Sequence, residues 1–140
     1  MKLSRTVAYA VQATLLLARS ESGGPVPCSR LAAEGGMPER FLLQILRNLV
    51  RHGILGSTRG VEGGYTLERS PADISLLEVI EAVNGPMTSM RPLHKGLPEE
   101  SKTKLECALK EVTDLARREL RAVKLAHLLP GGDGQVSKRR

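Results

Sequence analysis

Four donor-bearing side chains stand in one line along the chain: Arg40, Gln44, Arg47 and Arg51 recur at i, i+4, i+7 and i+11. At helical spacing they share one face of a helix about 20 Å long. Arginine can grip guanine O6 and N7 with two hydrogen bonds, and glutamine can do the same at adenine N6 and N7. Arg40 and Gln44 lie nearer the helix N-terminus, the end that meets base edges when such a helix enters a major groove. Arg47 and Arg51 suit phosphates or solvent. Leu43 lies among them, placed either to touch a thymine methyl or simply to stay exposed. Shortly afterwards S-T-R-G-V-E-G-G-Y (57–65) sets Arg59 among Gly60, Gly63 and Gly64. An arginine at a loop tip can enter a narrow minor groove, where the potential is most negative. Ser57 and Thr58 can donate to phosphates, and Gly60 leaves room for backbone to approach DNA. Three glycines in five residues exceed what a two-residue hairpin turn needs, so they mark either a close approach of backbone or plain turn chemistry.

Positioning these groups requires particular elements. Pro38 suits the first position of a helix and Gly53 the position just past its end. Between them Phe41, Leu42, Ile45, Leu46, Leu49 and Val50 form an apolar stripe. Ile54-Leu55 and Tyr65-Thr66-Leu67 read as strands flanking the glycine loop. Upstream, an apolar helix runs from Leu3 to Arg19 with Ser4 at its start. Arg5 lies in its first turn, where a helix N-terminus can help to hold a phosphate. A turn, S-E-S-G-G-P, leads to a short helix from Cys28 to Glu34, ended by Gly35-Gly36. That short helix, the glycine turn and the Pro38 helix make a helix-turn-helix. The expected fold is mainly α with a small β-hairpin wing, a winged helix-turn-helix over residues 1–85. Its last helix has a capping box in Ser75 and Glu78, a staple in Ile74 and Val79, and a stop at Gly85-Pro86. An irregular connector, 86–100, precedes a long helix, 101–129. There Leu105, Leu109, Val112, Ala116, Leu120 and Val123 repeat at coiled-coil-like spacing, which predicts a dimerisation helix. Residues 130–140 read as a disordered basic tail.

The chain has 140 residues and a net charge of +6, which favours an anionic partner. Tyr9, Phe41 and Tyr65 are its whole aromatic complement, too few to stack single strands, so double-stranded DNA is the expected partner. No apolar run is long enough for a bilayer and no cleavage-site pattern follows the N-terminal stretch, so the expected location is cytoplasmic, with no membrane. Two cysteines, Cys28 and Cys107, cannot build a disulfide framework. An enzyme is not expected: no paired carboxylates, metal-ligand spacing or nucleophile with its base is present. The alternative is a winged-helix protein-interaction module without sequence-specific DNA binding.

Several stretches resemble the IscR/NsrR-type winged-helix transcription regulators. M-K-L-S-R-T-V-A-Y-A-V resembles the first helix of that family, F-L-L-Q-I-L-R-N-L-V-R-H-G-I-L its recognition helix, S-T-R-G-V-E-G-G-Y-T-L its wing, and I-S-L-L-E-V-I-E-A-V-N-G the helix after it. The resemblance covers 1–85 well and 86–129 loosely. It implies a homodimeric regulator, usually a repressor, on a partly palindromic operator. It also implies the recognition helix in the major groove and Arg59 in the minor groove. Many such proteins hold an iron–sulfur cluster through three cysteines between the fourth helix and the long one. Here no cysteine lies between Pro86 and Glu106, and only Cys107 matches the last of the three. The resemblance therefore predicts a cluster-free member with no cofactor and no metal, Met87, Met90 and His94 being plain loop residues. An effector, small molecule or protein, is left open. Cys107, placed in the long helix beside Glu106, is expected to pack as a small hydrophobe rather than to sense oxidants. Cys28, at a helix start, has the better-placed thiolate, with packing again the expectation.

Overall fold

A computed structural model describes residues 3–20, 23–88 and 95–131. Three helices come first: α1 (Arg5–Arg19), α2 (Cys28–Gly35) and α3 (Glu39–Arg51). Strands β1 (Leu55–Thr58) and β2 (Gly64–Leu67) follow, then α4 (Leu76–Asn84), α5 (Glu99–Ala122) and a single 3-10 turn, Leu125–Leu128. Ser4 caps α1, its hydroxyl accepting from the Val7 N–H. Gly36, in the left-handed region at φ +63°, ends α2. Gly53, at φ +74°, turns the chain out of α3. Pro38 is not the first helical residue. Its ψ of 121° is extended, so it occupies the cap position, and its carbonyl accepts from Leu42 N–H.

The core lies where α1, α3 and α4 meet. Val7, Ala10, Ala13 and Leu17 of α1, Leu42, Ile45, Leu46 and Leu49 of α3, and Leu77, Val79 and Ile80 of α4 are buried. Leu3, expected as the first residue of α1, lies ahead of it and is exposed. Phe41 also leaves its expected stripe. It is 42 % exposed and meets Tyr9 of α1 edge-on, ring centroids 5.8 Å apart. The buried Thr14 hydroxyl is satisfied by donating to the Val11 carbonyl.

β1 and β2 pair antiparallel with Leu55 opposite Leu67 and Ser57 opposite Tyr65. A two-stranded hairpin is marginal on its own. This one gains a third partner, because Val26, just ahead of α2, bridges to Tyr65.

The long helix departs from expectation at its end. It stops at Ala122, not near 129, because the chain turns at Val123 and returns to the core. The Val123 carbonyl accepts from Leu76 N–H, Leu125 N–H donates to the Ile74 carbonyl, and Leu125 is fully buried. Most of the expected tail, 132–140, lies outside the described residues, as do Met90 and His94. Among the described residues no helix is long and apolar enough to cross a membrane.

The capping box of α4 is present in full. Ser75 Oγ accepts from Glu78 N–H, and the Glu78 carboxylate accepts from Ser75 N–H while pairing with Arg69 at 2.6 Å. Burial raises the Glu78 carboxyl, but the Ser75 N–H and the Arg69 guanidinium outweigh it and hold the group below the usual carboxylate range. Ser75→Ala should cost about 1 kcal/mol, the typical worth of such a cap. Thermal unfolding should then show a midpoint about 5 °C lower. The depressed Glu78 contributes stability above the unfolded carboxylate range and loses it as pH falls through its folded value. Glu78→Gln should therefore flatten the acid side of the stability curve, and an acid limb as steep as the native one would refute this coupling.

Candidate nucleic-acid interface

α3 displays Arg40, Gln44, Arg47 and Arg51 on its exposed side, while Leu42, Ile45, Leu46 and Leu49 anchor the opposite side. The apolar stripe fixes the rotation of the helix, and that rotation aims the donor line outward. Leu43 is half-buried at the edge of this face rather than fully exposed. Ser57, Thr58, Arg59 and Gly60 are exposed on the wing, and Arg5 is exposed in the first turn of α1.

Arg30, Arg69, Lys102, Lys104, Lys110 and Arg117 each pair with a carboxylate. None of Arg5, Arg40, Arg47, Arg51 or Arg59 has an ion-pair partner among the described residues. Among the described residues, every arginine expected to face a polyanion is without an ion pair, so its charge is available to phosphates.

The wing glycines have reasons inside the protein. A Cβ on Gly64, at φ +153°, would sit 2.4 Å from the Val26 carbonyl carbon. A Cβ on Gly63 would sit 2.1 Å from the Thr58 carbonyl oxygen. These two permit close approach of backbone to backbone, not to an outside partner. Gly60, at φ +110° and facing open space, serves the turn and accepts from Gly63 N–H. The expected pair of phosphate donors also divides. Strand alternation puts Ser57 on the face shared with Leu55 and Tyr65, and Thr58 on the other. Tyr65, missed by motif reading, joins the candidate interface because it pairs with Ser57 and lies close enough to Arg47 to feel its charge. The signal was in the sequence, since a tyrosine directly follows Gly63-Gly64 in a chain with three aromatics.

The cysteines lie apart. Cys28 is half-buried at the start of α2, its thiol 3.7 Å from the Glu39 carbonyl. Burial and the Glu39 carboxylate push that thiol up, so the helix start does not give it a stabilised thiolate. Cys107 is exposed on α5, against the expectation that it would pack as a buried hydrophobe. It borders a groove of about 400 Å³ with Met87, Lys110 and Arg117.

This arrangement of helix-turn-helix, wing and unpaired arginines coincides with a family model described as an iron-dependent transcriptional regulator, Rrf2, which matches residues 3–131. The chain belongs to the Rrf2 family. A Mycobacterium tuberculosis relative named as an HTH-type transcriptional regulator is 39 % identical over 124 residues, covering 88 % of this chain and 75 % of that protein. IscR of Escherichia coli is 34 % identical over 96 residues, covering 69 % of this chain and 59 % of that protein. Among solved structures, IscR of T. potens superposes with a TM-score of 0.65 at 29 % identity, over 91 % of this chain and 85 % of that one. CymR of B. subtilis, titled a global cysteine regulator, shares the fold with a TM-score of 0.72 at 24 % identity, over 91 % and 95 %. This Rrf2 chain is accordingly a transcriptional regulator with a DNA-binding fold, and not an enzyme. Among the described residues, the iron in the family's description finds no gathered donor set. Cys28 and Cys107 are on separate elements, and among the described residues no three of His, Cys, Asp or Glu gather as metal ligands.

Gly64→Ala should separate β2 from Val26 at a cost of about 2–3 kcal/mol. Duplex affinity should fall with it, since the wing would lose its seat. A native thermal midpoint in this variant would show that the Val26 contact is not needed.

Proposed function

We propose that this Rrf2 regulator is a cytoplasmic, homodimeric, sequence-specific DNA-binding repressor of a partly palindromic operator. α3 enters the major groove, where Arg40 and Gln44 meet base edges and Arg47 and Arg51 meet phosphates. Arg59 of the wing enters the adjacent minor groove, with Ser57, Thr58 and Gly60 beside it and Arg5 at a flanking phosphate. The observation that carries this reading is the line of exposed, unpaired arginines on α3 continued by Arg59. Such a surface is suited to a polyanion and poorly suited to an apolar protein face.

α5 supports the dimer. Leu105, Leu109, Val112 and Leu115 lie exposed along it, Val112 at 66 %, while Leu120 nearer its end is buried. The helix spans about 36 Å, long enough to carry such an interface clear of the winged domain. With a single cysteine near the connector, we propose regulation without an iron–sulfur cluster, since such clusters are normally held by several thiolates.

Selection of random duplex DNA by the purified protein at near-physiological salt should enrich a palindrome. Arg59→Ala should weaken binding to it about 10- to 100-fold. No enriched motif would favour a protein-interaction module, whereas an Arg59→Ala chain that binds the palindrome like the native one would remove the wing contact from this reading. Independently, Leu109→Glu should put a charge in the exposed stripe and shift the protein to monomers in sedimentation at micromolar concentration. A dimer that survives this change would place the interface elsewhere.

A further inference from the structure

The Tyr65 ring is half-buried against the core, and its backbone is held by Val26 on both sides, Val26 N–H donating to the Tyr65 carbonyl at 3.0 Å and Tyr65 N–H to the Val26 carbonyl at 2.9 Å. Its hydroxyl, by contrast, has no hydrogen bond from any described residue. No buried side-chain polar atom among the described residues lacks a partner, so this unpartnered hydroxyl opens to solvent.

The register shows where it opens. Leu55, Ser57, Tyr65 and Leu67 share one face of the hairpin. At Leu55 that face is buried in the core, and one pair further out, at Ser57 opposite Tyr65, it emerges. Arg47, from the exposed side of α3, and Cys28, at the start of α2, both act electrostatically on Tyr65. Its bridge to Val26 and its pairing with Ser57 set the residue between the wing and the start of α2, with Arg47 of the recognition helix near enough to act on it. Burial foremost, then Cys28, raises the phenol against the opposing pull of Arg47, so the hydroxyl stays protonated and able to donate.

We infer that the Tyr65 hydroxyl donates a hydrogen bond to a DNA backbone phosphate seated between the wing and α3, with Arg47 as the cationic partner and Ser57 beside it. This rests on the DNA-binding reading and adds to it a neutral phosphate contact that ties the wing to the recognition helix. A phosphate contact positions the protein without reading sequence, so its loss acts equally on all duplexes.

Tyr65→Phe keeps the ring and removes only the donor. Its affinity for the selected duplex should fall about ten-fold, as for a hydrogen bond to a charged group. Its affinity for a scrambled duplex should fall by the same factor. The slope of log affinity against log salt should not change, whereas Arg47→Ala should lower that slope by about 1. Replacing single phosphates of the selected duplex with methylphosphonate should reveal one position per half-site that weakens the native protein about ten-fold more than it weakens Tyr65→Phe, the remaining loss being that of Arg47. Native affinity in Tyr65→Phe, a loss confined to the selected sequence, or a loss accompanied by a lowered thermal midpoint would each overturn the inference. If Arg59→Ala still weakens binding in those cases, the DNA reading stands without it. If no duplex is selected and Arg59→Ala changes nothing, both fail together.

Discussion

Two backbone hydrogen bonds between Val26 and Tyr65 organise the candidate interface. Without them the wing would be a hairpin of two four-residue strands seated only by Leu55 and Leu67 at its base, and two-stranded hairpins are marginal in water. With them, the segment entering α2 acts as a third strand. The helix-turn-helix and the wing thereby become one rigid piece. Gly64 is the condition for this contact, because any side chain there would strike the Val26 carbonyl. The position of Arg59 relative to Arg47 follows from this pairing.

The surface is built by leaving charges unanswered. Six basic residues elsewhere among the described residues find carboxylates, four of them about one turn away on the same helix: Arg30–Glu34, Lys102–Glu99, Lys104–Glu100 and Lys110–Asp114. Exposed pairs of that kind add little stability, but they cancel local field. On α3 and the wing that cancellation does not occur. The arginines repel one another modestly across solvent, and the buried side of α3 bears that cost. What remains is a positive strip of the kind that suits a polyanion, and the proposed function places the duplex there.

α5 is fastened at both ends of its contact with the winged domain. Near the connector, Arg117 pairs with Glu81 of α4, the same carboxylate that accepts from Met87 N–H at 2.6 Å. Past its last turn, Val123 and Leu125 hydrogen-bond to the backbone ahead of α4, and Leu125 fills the core. The exposed Leu105–Leu115 stretch therefore projects from a firm base. Anything bound there would be held in a defined orientation to α3.

Local chemistry was readable along most of the chain. The ends of α1, α2 and α4 follow from Ser4, Gly36, and Ser75 with Glu78, because caps and left-handed glycines act within a turn of the residues that specify them. The donor line on α3 and Arg59 at the wing tip were legible for the same reason, since helical period and turn chemistry are short-range. Tertiary structure decided the rest. Phe41 has the spacing of a core residue but lies beside the stripe, against Tyr9, because packing with α1 and α4 chose the rotation of α3. The apolar repeat running to Val123 could not show that the chain would leave the helix at Ala122, since the Leu125 side chain is better satisfied in a core built by residues far away in sequence. Gly63 and Gly64 advertised a close approach. Only the folded chain shows that what approaches Gly64 is Val26, whose pairing with Tyr65 depends on two segments meeting across the helix-turn-helix.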